Sequence, residues 1–90
     1  MIDRELVTRK MVLIAEDLPH VEALARKPVS DYVASPTDEV LAERYLERMI
    51  GRMIDINYHL LTESGAPPPR DYFDSFVALG SAGVLPHLNR

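Results

Sequence analysis

Between Ser35-Pro36 and Gly65-Ala-Pro-Pro-Pro runs a stretch without proline in which apolar residues recur at helical spacing. No other feature restricts the fold as much. Ser35 is placed to cap a helix, Pro36 to occupy its first position, and Asp38 to serve as a short variant of the capping-box glutamate. Gly65 tolerates a left-handed backbone, and the three prolines after it cannot continue a helix. Within those limits Ala42, Leu46, Met49, Met53, Ile56 and Leu60 form one seam. Tyr45, Ile50, Ile54, Tyr58 and Leu61 flank it, so this long helix is expected to bury more than one face.

The remaining chain divides around that rod. From Asp3 to Arg26, Val7, Met11, Ile14, Leu18, Val21 and Ala25 alternate at spacings of four and three, with Leu6, Leu13 and Leu24 widening the stripe. Asp3 is the expected cap, and Pro19, which lacks the amide that would bond Ala15, predicts a bend near Leu18 or a restart after Asp17. KPVSDYVASP reads as a connector in which Tyr32 or Val33 tucks against the core. Asp71 caps a short aromatic helix, DYFDSFVAL, with Phe73, Phe76 and Val77 on its inner side. In LGSAGVLP two glycines stop that helix, and Leu-Pro opens another of which HLNR is all that follows. Repeats, low-complexity tracts and useful strand alternation are lacking, so the reading is all-α: a short up-and-down helical bundle with its last helix or helices truncated or missing.

Ninety residues make a single domain, 1–90, with a modest core. A chain this short buries only roughly 60–65% of the surface it exposes unfolded, so pairing with a second chain would supply burial the monomer lacks. Without cysteine, disulfides and thiolate metal sites are impossible, and a cytoplasmic location is expected. The start, MIDRE, is charged, and the early apolar run MVLIA is too short for a signal core or a membrane span. A net charge of −4 gives the whole chain no attraction for nucleic acid, although a local basic stripe can still provide one.

Such a stripe exists on the long helix. Arg44, Arg48, Arg52, Asp55 and His59 follow one another at three or four residues and share a face. Three arginines in register can hold phosphates, Asp55 can orient the imidazole of His59, and Arg52 with His59 can stabilise charge and move protons in RNA cleavage. The simpler reading is a ladder worth about 0.2–0.5 kcal/mol per contact, the arginines pairing with Glu39, Glu43 and Glu47 or with a partner chain. A structural or interface role is the preferred reading, with Arg52 and His59 kept as catalytic candidates. Asp55 and His59 could reach one metal ion, but two ligands do not make a zinc site, and His20 and His87 lie in unrelated segments. Phosphate loops, nucleophile elbows and cofactor motifs are not discernible, so no metal and no cofactor is expected. Met11, Met49 and Met53 sit at core spacing.

The order of elements and the wording of ERYLERMIGRMIDINYHLLTESGAPPPRDYFDSFVALGSAGVLP resemble the HepT-like branch of the HEPN families. The features that carry the resemblance are Glu43, Arg44, Leu46, Ile50, Ile54, Asp55, Ile56 and His59 on the long helix. Pro68, Tyr72 and Phe76 follow, then the turn Gly83, Val84, Leu85, Pro86. Nearly the whole chain is covered.

The resemblance implies an all-α bundle that dimerises, commonly the toxin of a prokaryotic toxin–antitoxin pair with a minimal nucleotidyltransferase as antitoxin. The activity it implies is metal-independent RNA cleavage by an arginine-histidine motif on the helix after the G-V-L-P turn. The sequence ends at Arg90, a few residues past that turn, so no catalytic residue is carried over. Two expectations follow: a truncated form, or a short relative that keeps a partner-binding surface on the long helix and its arginine stripe. A ribonuclease using residues beyond Arg90, or Arg52 and His59, is the alternative, and nucleotide binding without catalysis is a third.

Overall fold

A computed structural model describes residues 1–81, which form four helices and no strand: α1 Arg4–Ala25, α2 Val29–Val33, α3 Pro36–Glu63 and α4 Tyr72–Ser81. The all-α bundle expected from the periodicity is what the chain forms. The Gly83–Pro86 turn and the HLNR stretch lie outside the described residues.

Local chemistry sets the boundaries of α3. Ser35 Oγ accepts the Asp38 amide at 3.2 Å, so the cap is as expected. The second half of the capping box is absent, because the Asp38 carboxylate instead takes Lys27 Nζ at 2.6 Å and the Ser35 amide goes to Tyr32 O. At the other end Gly65 has φ 79°, the Ala66 amide bonds Leu61 O and the Gly65 amide bonds Thr62 O. That is a Schellman motif, with glycine where a Cβ would be strained.

α1 begins at its cap, Asp3, whose Oδ1 accepts the Leu6 amide at 3.0 Å. It continues through Pro19 as one helix of 22 residues, so the restart anticipated at Asp17 does not occur. The connector after it is not wholly irregular. It winds into α2, where Tyr32 is half-buried and Val33 is exposed, which selects the tyrosine as the side chain that tucks in.

α4 starts at Asp71, whose Oδ1 accepts the Asp74 amide at 2.7 Å, while Asp74 Oδ2 reaches back to the Arg70 amide at 3.0 Å. Two expectations for this helix need correction. Gly80 lies inside it rather than stopping it, and the inner side is Ser75 and Leu79, both essentially fully buried, with Phe76 half-buried. Phe73 is 70% and Val77 40% exposed. The small hydroxyl of Ser75 lets α4 approach α3 closely, and there it accepts from Asn57 Nδ2 at 3.1 Å while donating to Tyr72 O at 2.7 Å. That closes the polar account of the contact.

α1 and α3 lie antiparallel, as their contacts show: Asp3 meets His59, Lys10 meets Asp55, Asp17 meets Arg48 and Arg52, and Lys27 meets Asp38. α4 packs on the C-terminal half of α3. The buried apolar residues are accordingly Met49, Ile54, Ile56, Leu61 and Leu79. Leu46 and Ile50, nearer the N-terminal half, remain 44% and 48% exposed. The long helix therefore buries several faces only where α4 covers it.

Candidate functional site along the α1–α3 seam

The inner line of α1 follows the apolar spacing only in part: Leu6, Val7, Leu13, Ile14, Val21 and Leu24 are half-buried, as expected. Met11 and Leu18 are more than 40% exposed, whereas Asp17 is the one buried residue of the helix. Lys10, Leu13 and Asp17 meet α3 directly at helical spacing, so polar groups stand at the centre of a mostly apolar contact face. A charged residue falling on the core line, four after Leu13, was the signal available in the sequence.

Asp17 organises the polar stripe of α3. Its Oδ2 accepts from Arg52 Nη1 at 2.8 Å, and its Oδ1 lies 3.4 Å from Arg48 Nη2. Arg52 Nη1 also reaches Leu13 O at 3.3 Å, and its side chain is only 18% exposed. Burial of a carboxylate is tolerated when charge and hydrogen bonds are both supplied, and this arrangement supplies both. Arg48 and Arg52 thus pair with α1 rather than with Glu39, Glu43 or Glu47. Arg44 is exposed and has no ion pair among the described residues.

Toward the C-terminus of α3 the stripe changes character. Asp55 takes Lys10 Nζ at 2.9 Å, and His59 Nε2 accepts the Asp3 amide at 2.8 Å. The Met1 amino group contacts the Glu63 carboxylate, completing a clasp between the start of α1 and the end of α3. The hydrogen bond from that amine, and then its charge, hold the Glu63 carboxyl below the ordinary value of 4.5, with slight desolvation opposing and His59 adding a smaller lowering.

Arg52 and His59 are not brought to one point. They are seven residues apart on a straight helix, about 10 Å along its axis, and each is bonded to a different part of α1. His59 Nε2 is occupied by a backbone amide, and Arg52 by Asp17 and Leu13. Groups of three or more His, Asp or Glu side chains that could hold a metal do not occur among the described residues. No helix among them is long and apolar enough to cross a membrane.

Two further features went unread in the sequence because one depends on α1 and the other on α4 lying against α3. His20 and Tyr45 stack with ring centroids 4.8 Å apart and planes 3° from parallel, and Arg48 Cζ lies 5.8 Å from the Tyr45 centroid. On another side of α3, an open apolar groove is bounded by Leu46, Ile50, Ile54 and Tyr72, with Glu43 and Glu47 at its rim. Gly51 also lines it, and a Cβ added there would meet nothing within 4 Å.

Over 84 residues, 93% of its length, the chain is 26% identical to a protein described as tRNA nuclease HepT from Aphanizomenon flos-aquae. The chain spans 57% of the length of that curated relative. No protein-family model matches the chain.

Proposed function

Because the chain is a HepT-like relative, we propose that it is a toxin–antitoxin component acting as a dimerising, partner-binding helical module. One observation carries this reading. Leu46 and Ile50 on α3 and Tyr72, Phe73 and Val77 on α4 are between 40% and 70% exposed, and the first three border one groove. Apolar surface gathered in this way marks an interaction site, and a chain this short gains from covering it. Gly51, a poor helix former with open space at its Cβ position, lets the backbone of a neighbouring helix come close. The arginine stripe contributes less than its sequence suggests, since Arg48 and Arg52 are turned toward Asp17.

The partner is a second copy of the chain, and a nucleotidyltransferase antitoxin is the second candidate. Sedimentation equilibrium over a range of concentrations tests the first, and co-purification with the product of the neighbouring gene tests the second. A protein that stays monomeric at high concentration and captures no such neighbour sinks this function.

RNA cleavage is the second reading, favoured by the description of the relative as a tRNA nuclease. Arg52 and His59 are already engaged with α1, so the catalytic groups would lie outside residues 1–81. Incubating RNA with the 90-residue protein in chelator tests it. No cleavage is expected; cleavage abolished by His59→Ala would place the chemistry on the seam after all.

A further inference from the structure

One residue ties the start of α1 to α3. The Asp3 carboxylate caps the helix by accepting the Leu6 amide, its carbonyl accepts the Val7 amide at 3.2 Å, and its own amide donates to His59 Nε2 at 2.8 Å. Further along α1, the next ion pair to α3 among the described residues is Lys10–Asp55. Leu6 and Val7, between the two, are half-buried.

A backbone amide can only donate, so His59 Nε2 must present its lone pair and the ring proton must sit on Nδ1. An imidazolium carries N–H at both nitrogens and accepts nothing. Proton uptake by His59 therefore breaks the bond and sets two N–H groups against each other.

The charged groups around the ring offer the imidazolium no free acceptor. On α1 the Asp3 carboxylate is taken by the Leu6 amide; on α3, Asp55 is taken by Lys10 and Glu63 by the Met1 amino group. Arg4, Glu5 and Arg9, the other charged residues in the first two turns of α1, are exposed. From α4 and the 64–71 segment no hydrogen bond reaches His59 among the described residues. The positive end of the α1 dipole disfavours a cation here, and the negative end of α3 favours one by a similar amount. The direct contact with the Asp3 amide decides.

We propose that His59 is a pH-operated latch: neutral, it holds the first turn of α1 against the end of α3; protonated, it releases Asp3 and lets that turn open as far as Lys10. It works between about pH 8 and 5, where imidazoles take up a proton. Glu63 responds lower, below 4.5, so the two events separate. The latch is remote from the α3–α4 groove and does not depend on the interface proposed there.

The test is NMR of the 15N-labelled 90-residue protein between pH 8 and 5. At pH 8 the His59 ring nitrogens are expected to show the Nδ1–H tautomer, and the Asp3 amide nitrogen to share a scalar coupling with Nε2 across the hydrogen bond. As pH falls the coupling disappears, and the Asp3 amide signal moves with the same midpoint as the His59 ring. Exchange of the Leu6 and Val7 amides, corrected for intrinsic rates, accelerates by about fivefold, the factor that one hydrogen bond of ordinary net strength represents. His59→Gln keeps an acceptor that does not titrate, so its Leu6 and Val7 exchange is level across the range, whatever its absolute rate. Glu63→Gln retains the step. An Nε2–H tautomer at pH 8, an Asp3 amide that does not follow the ring, or a step of equal size in His59→Gln would overturn the proposal.

Discussion

Arg52 reaches across from α3 to the buried carboxylate of Asp17 on α1, 2.8 Å from Nη1 to Oδ2, in the middle of the antiparallel helix pair. Further polar pairs bridge the seam on either side of it, Lys10–Asp55 and Asp3–His59 on one and Lys27–Asp38 on the other. The pairing fixes which turn of α1 meets which turn of α3. Purely apolar faces would accept a slip of one turn, whereas a slipped Asp17 would be a buried charge without a partner.

Removing that partner is costly. Asp17→Ala strands Arg52 in a part-buried site and is expected to lower stability by roughly 3 kcal/mol, read as a lower urea midpoint with unchanged slope. Replacing both, Asp17→Leu with Arg52→Met, is expected to recover most of the loss. A double variant as unstable as the sum of two large single losses would show that the pair does not act as a unit.

Pro19 sits in the interior of α1, exposed, and, having no amide, leaves the Ala15 carbonyl without its helical donor. Pro19→Ala restores the amide, and a gain of ~1–3 kcal/mol is expected after allowing for the larger entropy of the unfolded chain. Thermal unfolding checks this directly. An unchanged or lower melting temperature would mean that the proline serves the packing of α1.

At the other end of the long helix, Gly65→Ala is expected to cost about 1 kcal/mol. The loss is conformational, because a Cβ at this position meets nothing within 4 Å while φ is +79°. Gly65→Asn, which accepts the left-handed region more readily, should lose less. Equal effects of the two substitutions in chemical denaturation would count against the backbone explanation.

The Met1–Glu63 clasp makes the start of α1 sensitive to acid. The Glu63 carboxyl is held below 4.5 in the folded chain, so its contribution is complete above that value and is lost as pH falls through the lowered one. Hydrogen exchange in the first turn of α1 should therefore accelerate below about pH 4.5, after correction for intrinsic rates, and Glu63→Gln should abolish the acceleration. Because the pair is at the surface, added salt should weaken the effect.

Ile50→Glu places a charge in the apolar groove without disturbing the buried side of α3, since Ile50 is 48% exposed. Folding should be retained while the dissociation constant of the proposed dimer rises by about tenfold or more. Sedimentation velocity at matched concentrations measures it. An unaltered dimer would move the interface away from Leu46, Ile50 and Tyr72.

The starts of α1, α3 and α4 and the end of α3 are legible in the sequence, because they depend on neighbours along the chain; α2 and the passage of α4 through Gly80 are not. Ser35 and Pro36 begin α3, Gly65 ends it, Asp3 and Asp71 cap α1 and α4, and the wording around Ile54–His59 carries the resemblance to HepT-like proteins. Tertiary structure decided which faces meet. Spacing alone assigns Met11 and Leu18 to the core and gives Asp17 no place there, although Asp17 is buried and Met11 is exposed. Apolar residues surround much of α1, so their period does not single out one direction; the partner charges on α3 do. The same holds for the polar stripe: only the approach of α1 gives Arg48, Arg52, Asp55 and His59 their partners, and it gives Arg44 none among the described residues. Phe73 pointed outward for a related reason: α4 needs a small residue, Ser75, where it touches Asn57, and that contact turns the larger ring to solvent. A helix is written in local sequence, whereas its orientation is a sum over contacts with residues dozens of positions away.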